Sequence, residues 1–171
     1  MKGYVQVYTG DGKGKTTAAL GLTLRAAGAG LKVHICQFMK SGDYSEIKAL
    51  KKLGDYVSVV QFGTGQFVRG RPSEEEIAAG RKGLEHLKSI VHGGEYDVVV
   101  AEEANVAASC GLFSEDELLS VMETKPDNVE LVITGRGATE KVIAKADLVT
   151  EMKAIKHYYD AGVSARVGIE K

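Results

Sequence analysis

The sequence predicts an α/β fold, a mostly parallel sheet of about six strands with helices on both faces. Three observations predict it. Short apolar, β-branched runs alternate with helical stretches along the whole chain, the order that builds a parallel sheet. Several of these runs are nearly continuous in apolar character, as in KVHICQF (32–38) and YDVVVAEE (96–103), which suits strands buried on both faces. A glycine-rich loop joins the first strand to an alanine-rich helix.

Residues 4–8 (YVQVY) form the first strand. The stretch 15–29 is a helix, stopped by Gly28 and Gly30. After the strand at 32–38, YSEIKALKKLG (44–54) is a short amphipathic helix, and VSVVQF (57–62) is the third strand. GTGQFVRGRP (63–72) lacks periodicity and is a loop. Ser73 and Glu76 make a capping box, and a helix follows to about His92. The fourth strand, 96–103, ends on two acids, and Ser114 with Glu117 opens another helix. VELVITGRG (129–137) is the fifth strand, ATEKVIAKA (138–146) a short helix and DLVTEM (147–152) the sixth strand. The tail, 153–171, is irregular, with one edge strand expected near its end. Ligands of such sheets sit beyond the carboxyl ends of the strands, so the exits at 9–16, 38–42, 63–72, 102–105 and 134–137 should share one rim.

The 171 residues suit a single domain, 1–171, with 22 basic and 23 acidic side chains and a net charge of −1. That balance argues against a nucleic-acid partner. No apolar run approaches the roughly 20 residues of a membrane span. The opening MKGYVQVYTG has no secretory apolar core, so a cytoplasmic location is expected. Cys36 and Cys110 have no C-x-x-C spacing, and His34, His86, His92 and His157 show no metal-ligand spacing. They read as structural or surface residues.

The chemistry centres on VYTGDGKGKTTAALG (7–21). The phosphate-loop template G-x-x-x-x-G-K-[ST] needs a glycine at Thr9; here Gly10 comes one residue late and Lys13 is an added cation. Gly10, Gly12 and Gly14 let the backbone wrap an anion, and the helix start supplies N–H donors. Lys15 would neutralise phosphate charge and Thr16 would ligate Mg²⁺. Asp11 and Thr17 complete the loop. Glu102 and Glu103 end a buried strand, where a metal-side carboxylate belongs; alternation makes one functional and the other its support. Arg136 could hold a phosphate or ribose oxygen. Arg25, ten residues past Lys15, reads as a surface or packing residue. No hydrolytic signature stands out. The residues alone therefore reach a Mg-nucleotide-binding α/β domain with its reaction open.

TGDGKGKTTAALG resembles the G-x-G-K-G-K-T-T-A-A loop of the P-loop ATP:corrinoid adenosyltransferases. The similarity continues through VHICQFMKSG, GEYDVVVAEEAN, VELVITGRGA and ADLVTEMKAIKHYYDAGVSARVGIE, nearly the whole chain. The resemblance implies a RecA-like P-loop fold and an alkyl transfer serving cobalamin biosynthesis. A reduced corrinoid, cob(I)alamin or a cobinamide-type precursor, attacks the 5′ carbon of ATP, and triphosphate leaves. It implies ATP and Mg²⁺ or Mn²⁺ at the site, an electron donor such as a flavoprotein, and a homodimer. By position it assigns Gly10 to Thr16 to the triphosphate, with Thr17 beside them in the ATP-binding loop, Thr16 and Glu103 to the metal with Glu102 as support, and catalytic roles to Lys15, Thr16 and Glu103. It makes Arg25 a nucleotide contact, alongside Arg136 as read from the residues, and leaves the role of Asn105 open. Where some members carry G-x-G-F-x-W, this chain has FGTGQFVRG, so Gln66, Phe67 and Val68 stand on the corrinoid side. The competing reading is a RecA-like ATPase or nucleotide switch without corrinoid chemistry; a nucleotide kinase is disfavoured for want of a lid.

Overall fold

The structure is a computed structural model and describes residues 1–65, 68 and 70–170. Six strands form one sheet: β1 (Val5–Thr9), β2 (Val33–Gln37), β3 (Val57–Gln61), β4 (Val98–Glu102), β5 (Glu130–Thr134) and β6 (Leu148–Glu151). Their order is β3-β2-β4-β5-β1-β6, and every pairing is parallel. The exits of β2, β4, β5 and β1 are therefore neighbours on one rim.

Period-2 alternation sends the buried strands to two cores. Val33, Ile35, Val98, Val100 and Val132 pack with Ala19 and Ala26 of α1 (Lys15–Gly28) and Leu50 of α2 (Ser45–Leu50). Cys36, Phe38, Val99, Ala101, Leu131 and Ile133 face the other way. They meet Leu84, Leu87 and Val91 of α3 (Glu74–His92), Ala104 and Ala107 of α4 (Ala104–Ser109), Leu118 and Val121 of α5 (Glu115–Thr124) and Val142 of α6 (Glu140–Lys145). Gly83 lets α3 approach closely, since a Cβ there would lie 2.8 Å from the Phe38 ring.

Both capping boxes form. Ser73 accepts from the Glu76 N–H and Ser114 from the Glu117 N–H, and each glutamate reaches back to the capping residue's N–H. The expected helix at 44–54 is α2 followed by a 3₁₀ segment (Lys51–Tyr56), because Gly54 leaves helical geometry at φ 57°. Among the described residues, the expected strand near the chain's end does not form. β6 already fills the sheet edge beside β1, and the tail turns back through one 3₁₀ turn (Tyr158–Ala161) toward the loop after β1.

Candidate active site

The neighbouring strand exits enclose a cleft of about 610 Å³. Asp11, Gly12, Lys13, Gly14, Lys15, Thr16 and Thr17 form one wall; Lys40, Glu103 and Arg136 face it, and His157 and Gly168 to Glu170 close it from the tail.

The loop after β1 is set by glycine geometry. Gly10 and Gly14 have φ of 95° and 126°, values that side chains oppose. The expectation that these glycines exist to let a ligand approach needs amending. A Cβ on Gly10 would fall 2.5 Å from the Met152 carbonyl oxygen, and one on Gly12 2.7 Å from the same atom. The Gly12 N–H donates to that oxygen at 2.6 Å. Two of the three glycines thus answer to the chain leaving β6. Lys15 is 8% exposed and folds inward, donating to the carbonyls of Gly10 (2.6 Å) and Gly12 (2.8 Å). Burial, and then Arg136, hold its ammonium below its ordinary pKa, against Glu103 and Asp11.

The two acids at the β4 exit take different places. Glu102 is 1% exposed and accepts three hydrogen bonds: Thr16 Oγ1 and Gln37 Nε2, both at 2.5 Å, and Lys40 Nζ at 3.0 Å. Gln61 extends this network, donating to Gln37 Oε1 at 2.9 Å while its own Oε1 accepts from the Gly42 N–H. The register pairs Gln37 with Gln61 on one side and with Glu102 on the other. A polar chain thus crosses three strand ends to the hydroxyl of Thr16. Burial depresses the Lys40 ammonium, but the charge of Glu102 and the bond to it prevail, and its pKa ends raised.

Glu103 turns into the cleft. It caps α4 in the left-handed conformation (φ 60°, ψ 19°), with its N–H donating to Thr134 Oγ1 at 3.0 Å. Burial and the like charge of Glu102 raise its carboxyl pKa, against Lys40, Lys15 and Arg136. Asn105 is buried behind these acids. Its Nδ2 donates to the Gly135 carbonyl at 3.2 Å, steadying the β5 exit, and its Oδ1 has no partner among the described residues.

Two residues assigned from the sequence make other contacts or lie elsewhere in this chain. Lys13 was expected to grip phosphate; here its Nζ donates to Tyr158 Oη (2.9 Å), the Ile169 carbonyl (3.1 Å) and Glu170 Oε1 (2.8 Å). Arg166 and Tyr158 also bond Glu170, whose carboxyl Arg166 first, then Lys13 and Tyr158, hold far below the usual range. Lys13 therefore anchors the tail. Arg25 lies in the last turn of α1, exposed, and does not line the cleft. Ten residues at 1.5 Å each put it roughly 15 Å along the axis from Lys15. Gly10 also stands behind the cleft wall, contributing its carbonyl to Lys15.

Of the residues expected to face a corrinoid, Gln66 and Phe67 lie outside the described residues. Val68 lines a crevice with Phe38, Met39, Phe62 and Leu112. Gly63 closes on the Lys40 backbone, its N–H donating to the Lys40 carbonyl at 3.0 Å, so this crevice and the cleft share the segment 38–40. Sequence reasoning gave no role to Gln37, Lys40, Gln61 or the tail's Tyr158, Arg166 and Glu170. The detectable signal was a glutamine closing an otherwise apolar strand, since a buried polar side chain needs a partner.

The family model described as ATP:corrinoid adenosyltransferase BtuR/CobO/CobP matches residues 1–170. The corrinoid adenosyltransferase of Escherichia coli K12 is 34% identical over 170 residues, covering 99% of this chain and 86% of that protein. The corrinoid adenosyltransferase of Pseudomonas aeruginosa is 32% identical, covering 99% and 84%. Corrinoid adenosyltransferase CobA of Salmonella typhimurium is 34% identical, covering 99% and 86%. Among solved structures, the flagellar accessory protein FlaH of Methanocaldococcus jannaschii superposes with a TM-score of 0.56 at 12% identity, covering 88% of this chain and 71% of that one. That likeness concerns the fold.

Proposed function

The chain belongs to the ATP:corrinoid adenosyltransferase family, and we propose that its cleft moves the 5′-deoxyadenosyl group of ATP onto the cobalt of a reduced corrinoid. The observation that carries the reading is the cleft itself: a phosphate-loop wall facing Glu103 and Arg136, with Glu102 buried beneath Thr16 and the segment 38–40 leading to an apolar crevice beside it. The cobalt(I) centre of the corrinoid supplies an electron pair to C5′ of ATP. The cobalt–carbon bond forms as the C5′–O bond breaks, and triphosphate departs with the bonding electrons.

The loop residues Asp11 to Thr17 receive the triphosphate through backbone N–H groups and the start of α1. Lys15 leaves its two loop carbonyls for the phosphate oxygens. Its charge stabilises negative charge that gathers on the leaving group, which lowers the barrier more than it tightens ATP. Arg136 adds a second cation from the β5 exit. The oxygen donors Thr16 and Glu103 fit a hard divalent cation, Mg²⁺ or Mn²⁺, with Glu102 fixing the Thr16 hydroxyl from below. Such an ion, when bound, would neutralise phosphate charge. Val68, beside Phe38, Met39 and Phe62, marks the side of the cleft on which the corrinoid would sit, and the sequence offers Phe67 as an aromatic for that side. A flavoprotein reductant, a homodimer and a cytoplasmic location complete the proposal.

The test is product analysis. Protein, ATP, Mg²⁺ and chemically reduced cobalamin should give light-sensitive adenosylcobalamin and triphosphate in equal amounts. Steady release of ADP and phosphate without the adenosyl product would support the ATPase reading and overturn this one.

A further inference from the structure

A second cluster of metal-ligating side chains lies away from the cleft, between the middle of β2 and α3. His34 and Cys36 are two residues apart on β2, so both point to the α3 face, and His86 on α3 meets them. One ligand atom from each of the three lies within 4.8 Å of the other two. His34 Nε2 and His86 Nε2 are 2.9 Å apart. Cys36 is fully buried, His34 is 2% exposed and His86 is half-buried, which leaves a way in from solvent along α3.

The surroundings of His34 fix its tautomer. Register places Ser58 of β3 directly opposite, and Ser58 Oγ lies 2.6 Å from His34 Nδ1. Ser58 donates its own proton to Tyr96 Oη at 3.0 Å, so it accepts from His34 Nδ1–H. The lone pair of His34 Nε2 therefore points at His86. A hydroxyl holding the far nitrogen while the near one offers its lone pair to His86 Nε2 is the support that ligating histidines receive. We propose that His34 Nε2, His86 Nε2 and Cys36 Sγ form a binding site for a zinc-type soft divalent cation, separate from the nucleotide cleft.

The dimensions suit such an ion. Tetrahedral zinc, with bonds of about 2.0–2.1 Å to nitrogen and about 2.3 Å to sulfur, sets nitrogens roughly 3.3 Å apart and nitrogen to sulfur roughly 3.6 Å. The two histidines need to part by a few tenths of an ångström. The thiol proton goes to solvent as the metal–sulfur bond forms, and the His86 proton that bridges to His34 Nε2 is exchanged through solvent to His86 Nδ1, freeing both Nε2 lone pairs. No group changes oxidation state. Three protein donors leave one position for water. Imidazole and thiolate together select this ion class over Mg²⁺, which takes oxygen ligands.

Cobalt(II) is the spectroscopic probe, added to chelator-treated full-length protein before any corrinoid. One equivalent per chain should produce a near-ultraviolet thiolate-to-cobalt band, bleached by one equivalent of Zn²⁺. A cobalt ion on the oxygen ligands of the nucleotide cleft cannot give that band. Cys36→Ala and His86→Ala should each remove it, and Cys110→Ser should keep it. His86 is half-buried, so His86→Ala decides the matter even where Cys36→Ala fails to fold. Absence of the band in the unsubstituted protein overturns the proposal, as does a band that survives both substitutions or depends on Cys110.

Discussion

Removing the ammonium of Lys40 tests whether the carboxylate under Thr16 depends on it. The pair lies at 3.0 Å, with side-chain exposures of 21% for Lys40 and 2% for Glu102. Stripping one partner from a buried ion pair costs about 3–5 kcal/mol, because the other charge remains in a poor solvent. Here Lys40 reaches water, and Thr16 and Gln37 still donate to Glu102, so Lys40→Met should cost roughly 2–3 kcal/mol. For a chain of 171 residues that lowers Tm by roughly 5–10 °C. Glu102→Gln should cost a similar amount, since its amide presents a donor toward Lys40. Combining the two removes charge and countercharge together. The double variant should lose about 2 kcal/mol less than the sum of the singles. Thermal and urea unfolding of the four nucleotide-free proteins measure the cycle. Costs that add to within about 0.5 kcal/mol would refute the account and make Lys40 a surface cation that happens to lie near.

Gly10→Ala should destabilise the fold by about 3 kcal/mol or more, from left-handed strain plus the clash with Met152, whereas Gly14→Ala, whose Cβ meets only the Met152 sulfur at 3.7 Å, should cost about 1–2 kcal/mol. Equal losses in Tm would contradict the role given to Met152. Glu170→Gln frees Lys13 of its countercharge, so the KM for ATP should fall roughly two- to five-fold at low salt and the gain should fade as salt rises; an unchanged KM at every ionic strength would show that Lys13 does not feel the nucleotide. In the chelator-treated protein, burial first and His86 second hold the His34 pKa at about 4, against about 6.5 when unfolded. Stability should then be full above pH 6.5 and decline by about 3 kcal/mol as pH falls toward 4, a loss that His34→Gln should abolish in urea titrations.

The fold was legible because its strands carry their own pattern. Val98 to Ala101 are apolar on both faces, and only a sheet covered twice buries them all. Capping boxes at Ser73 and Ser114 announced two helix starts to the residue. The helix Ala104–Ser109 was missed since it is a six-residue turn begun by a left-handed glutamate, which no sequence rule anticipates. At the site, the loop residues were legible from spacing. The partners of Glu102 were not, because Gln37, Lys40 and Gln61 sit on strands far apart in sequence and only the register joins them. The tail was recognisable by resemblance alone. Its physical role, a wall of the cleft tied to Lys13, emerges only when the chain returns across β1. His34, Cys36 and His86 escaped for the same reason, since two of them are i, i+2 on a strand and the third is 50 residues on.

Glu103 is the described non-glycine residue with positive φ, and it also stands beside a second carboxylate. A glycine there would relax about 1–2 kcal/mol of backbone strain and remove the repulsion from Glu102. Selection for thermal robustness alone would therefore drift toward Glu103→Gly, yielding a chain that melts later and turns over poorly. A directed-evolution campaign on this scaffold that screens heat resistance without catalysis should enrich that substitution early. If Glu103 has the metal-side role proposed above, the glutamate should be retained only where activity is scored.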